Sequence, residues 1–122
     1  MDEGQLELLK WFEAARSGDL AELERMLEEG IWAEAPSPLD GMTALMTACA
    51  EGHEEAARLL ASQSEIDACD EWSNTAAIVA AAAGHHSIVR MLMDMGADPQ
   101  ARNKAGLDVE AASRRFKSRS GC

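Results

Sequence analysis

The chain has 122 residues, with 22 acids against 11 bases for a formal net charge of −11, and is 47% hydrophobic but only 4% aromatic. A chain of this length has room for one core and no second catalytic domain. Its apolar content excludes disorder as the default, three prolines exclude a Pro-rich or collagen-like chain, and the negative balance excludes bulk nucleic-acid affinity. No run approaches 18 apolar residues, so no membrane-spanning helix is expected, and the acidic start MDEGQLELL is not expected to act as an export signal.

The first expected helix gathers Leu8, Leu9, Trp11 and Ala15 on one apolar face, which makes Trp11 a core residue. Gly18 interrupts EAARSGDLAELERML. The loop IWAEAPSPLD follows, stiffened by Pro36 and Pro38, with Trp32 expected to cover the first hairpin. Thr43 then caps a helix over 44–50 through its side-chain oxygen. Ala48 and Cys49 keep that helix slim, and Gly52 ends it where a residue without Cβ tolerates positive φ. A helix over 53–62 carries Ala56, Ala57, Leu59 and Leu60 on its apolar face. After a polar stretch come a helix over 75–83, a turn at Gly84-His85, a helix over 87–95 and the run Gly96-Ala97-Asp98.

These elements repeat. Thr43 and Thr75, Ala48 and Ala80, Gly52-His53 and Gly84-His85, and Leu60 and Leu92 are each 32 residues apart. Another step places Leu107 where Thr stood and Ala112 where Ala stood, and Gly18 lies 34 residues before Gly52. No helix pair of this size buries its apolar face alone, so the units are expected to stack in series.

The pattern resembles the ankyrin repeat. The resemblance rests on Gly41, Thr43 and Leu45, on Ala48, Cys49, Gly52 and His53, and on Val89, Leu92, Gly96, Ala97 and Asp98. It implies an all-α solenoid of stacked helix-turn-helix units with projecting hairpin loops. Four units follow, at about 6–35, 36–68, 69–101 and a truncated 102–117, leaving 118–122 as a short tail. Ala44 and Ala76 stand where the family has Pro. Met46 and Ile78 stand where it has His, so the bonds which that His makes between repeats are expected to be missing.

The resemblance further implies protein binding without catalysis, through hairpin tips and the exposed edge of each first helix. Mapped by phase, the partner-facing residues are Leu39, Asp40, Met42, Ala50 and Glu51 in unit two, and Glu71, Trp72, Asn74, Ala82 and Ala83 in unit three. Unit four contributes Arg102, Asn103, Lys104, Arg114 and Arg115, and unit one Arg16 and Ser17. Trp72 stands out in the polar hairpin EWSN. It is either a binding anchor, with Met42 and Lys104 in a row beside it, or a side chain folded back onto Pro38, Leu39 or Met42. Met26, Met46, Met91, Met93 and Met95 fall mostly at helix-core phases.

No motif supplies a metal, cofactor or catalytic group, so none is expected. His53 and His85 occupy turns where the ring bonds nearby backbone, and adjacent His85 and His86 point about 100° apart on a helix. Asp67, Asp70 and Glu71 lack the oxygen count and loop order that calcium needs. Cys49, Cys69 and Cys122 form no C-x-x-C pair and fit a reduced intracellular chain. Charge is uneven: residues 1–71 hold 18 acids and 4 bases, residues 72–122 hold 4 acids and 7 bases. Solubility and steering of a partner both account for that gradient. The expected protein is a monomeric, cytoplasmic interaction module acting as adaptor, inhibitor or chaperone, with the nucleus open to it by diffusion. It has an unknown protein partner and no nucleic-acid or membrane partner. The alternative is a spacer fragment of a larger ankyrin-repeat protein.

Overall fold

A computed structural model describes residues 3–38 and 41–120, without the side chains of Glu3, Gln5 and residues 115–120. The described residues form seven helices: α1 (Glu3–Ser17), α2 (Leu20–Glu28), α3 (Ala44–Glu51), α4 (Glu54–Gln63), α5 (Ala76–Ala82), α6 (His86–Asp94) and α7 (Val109–Ser120). Helices α1, α3, α5 and α7 pack in that order as one layer. Helices α2, α4 and α6 form a second layer, each against the first helix of its own unit.

Side-chain oxygens start four of these helices, α2, α3, α5 and α7. Asp19, Thr43, Thr75 and Asp108 accept from the amides of Glu22, Met46, Ile78 and Ala111. Each thus satisfies a first-turn N–H that has no partner within the helix. The cap of unit four is Asp108 and not residue 107, so the expectation that Leu107 takes the place of Thr is off by one. The third step between caps is 33 residues, where the second was 32. Ala112 is still buried, against Ile78 and Ala81. Helix α7 continues through Ser120, past the residue-117 boundary drawn from the sequence.

The core is small and dense. Trp11, Leu23, Met26, Met46, Cys49, Leu60, Ile78, Ile88 and Leu92 are fully buried, with alanines closing the gaps between helices. Small residues let helix axes approach, which is why α5, AAIVAAA, fits between α3 and α7. Trp11 is core as expected, and its indole N–H is buried without a hydrogen-bond partner. Burial pushes the Cys49 thiol up to about 12. Trp32, expected to cover the first hairpin, is 64% exposed.

Neighbouring units are tied by hydrogen bonds that skip about one repeat. His53 Nε2 lies 2.8 Å from the Arg16 carbonyl, and His85 Nε2 lies 3.2 Å from the Ala50 carbonyl. A carbonyl only accepts, so both rings donate. The rings therefore reach the preceding unit, where the sequence suggested backbone close at hand. Glu34 Oε1 accepts from the Glu65 amide and Asp67 Oδ1 from the Asp98 amide, both at 2.9 Å. Met46 and Ile78 are buried among apolar neighbours, so the rings of the turns and the loop carboxylates join the units instead.

Candidate functional site

The hairpin of unit three is built around Asp70. Its Oδ1 accepts from the amides of Trp72 and Asn74, and its Oδ2 accepts from Asn74 Nδ2. The Asp70 amide donates to the Asn74 carbonyl, and Ser73 turns the chain at φ 61. Asn103 does the same work in unit four: its Oδ1 accepts from Ala105 and Leu107, and its amide donates to the Leu107 carbonyl. Two bonds then join these hairpins, Asn103 Nδ2 to Asn74 Oδ1 at 2.9 Å and the Lys104 amide to the Trp72 carbonyl at 2.9 Å.

Between these hairpins and the first helices lies a trough of about 760 Å³. Its apolar lining comes from Met42, Ala50, Ile78, Val79, Ala82, Ala83, Leu107 and Ala112, and its polar lining from Asp70, Asn74 and Asn103. The depth has a simple cause. The helix edges facing the hairpins end in alanines, and a methyl group leaves open the space that a longer side chain would fill.

The structure therefore brings together Met42, Asn74 and Asn103 from the residues singled out in the sequence, with Ala50, Ala82 and Ala83. Met42, Asn74 and Leu107 hold one structural position, each just before a helix cap. Trp72 lies outside the trough. It sits at the hairpin turn, 53% exposed. The expected row of Met42, Trp72 and Lys104 is thus divided: Met42 lines the trough, while Trp72 and Lys104 meet through backbone at its edge. Glu51, Glu71, Arg102 and Lys104 are exposed around it. Arg114 is exposed on α7 and paired with Glu110 at 3.1 Å, and Arg16 is paired with Glu13 at 3.0 Å. Leu39 and Asp40 lie outside the described residues, and Arg115 is described only as backbone of α7.

Sequence reasoning missed Asp70, Ile78, Val79, Leu107 and Ala112 as trough residues. The signal was small or aliphatic type at Ile78, Val79 and Ala112 on α5 and α7, and at Leu107 just before the cap of α7. Among the described residues no group of three or more His, Cys, Asp or Glu side chains is placed to hold a metal ion, and no helix is long and apolar enough to cross a membrane.

A family model of ankyrin repeats in three copies matches residues 11–103. The chain belongs to the ankyrin repeat family. No curated protein matches it. Ankyrin repeats are in general protein-interaction modules and are typically not enzymes. The stacked pairs α1–α2, α3–α4 and α5–α6 are its repeats, and the trough lies where hairpins and first helices of successive ankyrin repeats face one another.

Proposed function

We propose that this protein works as an adaptor, inhibitor or chaperone that masks part of a partner protein by holding one of its segments in the trough. The observation that carries this reading is the trough itself, an open concavity of about 760 Å³ with an apolar floor. Concave, mainly apolar surfaces with a few placed polar groups are where proteins take ligands. Trp72 and Met42 add a rigid anchor and an adaptable neighbour at its margin, residue types enriched at protein interfaces. The one carboxylate lining the trough, Asp70, is engaged by two backbone amides and the Asn74 side chain, so binding without chemistry accounts for the trough best.

The test is paired affinity capture from the native cell, with mass spectrometry, using the parent and Ala82→Arg. Ala82 is an exposed trough residue near the end of α5, so Arg fills the space while circular dichroism stays unchanged. Proteins held by the parent and lost by Ala82→Arg are the expected result. Identical protein sets would leave the spacer reading in place.

A further inference from the structure

The chemistry of the trough says what kind of segment fits it, given that the trough is the docking surface. Its polar walls are spent. Asp70 is engaged by two amides and the Asn74 side chain, the Asn74 oxygen by Asn103, and the Asn103 oxygen by two amides. The hairpin backbone is likewise paired within and between hairpins, at Asp70–Asn74, Asn103–Leu107 and Lys104–Trp72. An extended peptide laid here would lose water from its own N–H and C=O groups and find few partners in exchange. A helix satisfies its backbone internally and brings only side chains to the surface.

The charges at the two ends of the trough differ in sign. At the unit-two end are Glu51, which follows trough residue Ala50, and Glu71, whose carboxylate leans toward the unit-two hairpin: a Cβ on Gly41 would lie 3.7 Å from Glu71 Oε1. At the unit-four end are Arg102 and Lys104, on either side of trough residue Asn103. None of the four forms an ion pair among the described residues. All four are exposed and unspent.

We infer that the trough takes an amphipathic helix from a partner protein. Its apolar stripe lies on the alanine floor, with basic side chains at the end over unit two and acidic side chains at the end over unit four. Helices packed in series are spaced by 8–10 Å, so three first helices span about 20 Å, which about 13 helical residues cover. Opposite charges at the two ends fix one orientation, because the reversed helix would set like charges against like.

The experiment is a selection from a phage-displayed library of 15-residue amphipathic helices, with a fixed apolar stripe and randomised Lys, Glu and Ser elsewhere, on the immobilised full chain. Synthetic copies of the selected peptides are then measured by fluorescence anisotropy. We expect peptides that segregate Lys to one end and Glu to the other, that lose binding to Ala82→Arg, and that fall by about tenfold or more on the quadruple variant Glu51→Lys, Glu71→Lys, Arg102→Glu, Lys104→Glu. The charge-swapped peptide is expected to prefer that variant. Peptides lost on Ala82→Arg but indifferent to the charge swap would overturn the inference while leaving the trough as the docking surface. Peptides indifferent to Ala82→Arg, or none at all, would overturn both. Proline in the middle of a selected peptide, at no cost in affinity, would overturn the helical assignment alone.

Discussion

The ring of His85 lies on Gly52, so that a Cβ at residue 52 would stand 2.8 Å from His85 Cε1 and 3.1 Å from Nε2. The same relationship holds one unit earlier, where a Cβ on Gly18 would stand 2.8 Å from His53 Cγ. Each glycine thus does two things: it turns the chain at positive φ, +82 at Gly52 and +74 at Gly18, and it leaves room for the ring that ties the next unit down.

Gly52→Ala should therefore cost more than backbone strain. Strain at positive φ is about 1–2 kcal/mol, and displacing the ring adds the loss of its bond, about 1 kcal/mol. Gly96 at φ +103 has nothing within 4 Å of an added Cβ, so Gly96→Ala shows the strain alone. Urea midpoints of the two variants should differ, and measured against a His85→Ala parent Gly52→Ala should cost no more than Gly96→Ala. Equal midpoints would mean that the ring moves aside freely.

Ala80 is fully buried between α5 and its neighbours. Ala80→Leu inserts three carbon atoms where no space exists, and should cost about 1–3 kcal/mol. Thermal melts of this variant beside Ala82→Leu, at an exposed position of the same helix, give the comparison. A melting temperature equal to the parent's would contradict the packing described.

Cys49 makes stability depend on alkaline pH. Its folded pKa is raised from an ordinary 9.0 to about 12 because the buried thiolate would lose its hydration. The folded state holds the proton more tightly than the unfolded chain does. The resulting stabilisation is whole below about pH 9 and is lost as pH rises toward 12, by up to roughly 1.4 kcal/mol per pH unit. The sequence contains no Tyr, so no phenol titrates in this window. Urea midpoints between pH 8 and 10.5, in reductant, should fall in the parent and fall less in Cys49→Ala.

Trp72 separates binding from folding. Half of its surface is exposed, and its link to Lys104 is made by its carbonyl, which every residue has. Trp72→Ala should shift folding by less than about 0.5 kcal/mol. It should weaken binding of a trough ligand by roughly 30-fold, as loss of an anchor worth about 2 kcal/mol does. Lys104→Glu should weaken it less, and more at low salt. A variant that binds like the parent and melts several degrees lower would make Trp72 a support for its hairpin.

The helical units were legible in the sequence because their ends are set by local chemistry. Thr43 and Thr75 cap, Gly52 turns, and the expected helices fall within a residue or so of α3 to α6. The cap of unit four was not, because the last loop holds one residue more and Asp108 stands in for Thr. The carboxylate links Glu34–Glu65 and Asp67–Asp98 leave no periodic trace, since they depend on rotamers in irregular loops. The trough was half legible. Reading by phase found Met42, Ala50, Asn74, Ala82, Ala83 and Asn103, but attention to large residues favoured Trp72. A concavity is written in what side chains lack, and that is the harder thing to read.

Six bonds between successive units, among the described residues, share one sense. His53, Glu65, His85, Asp98, Asn103 and Lys104 donate, and Arg16, Glu34, Ala50, Asp67, Asn74 and Trp72 accept. In every case the donor is the later residue in the chain. Synthesis runs in the same direction. At each of these joints the acceptor is therefore translated before its donor, and the residue that closes the joint comes last. The stack is vectorial: its joints are laid down acceptor first.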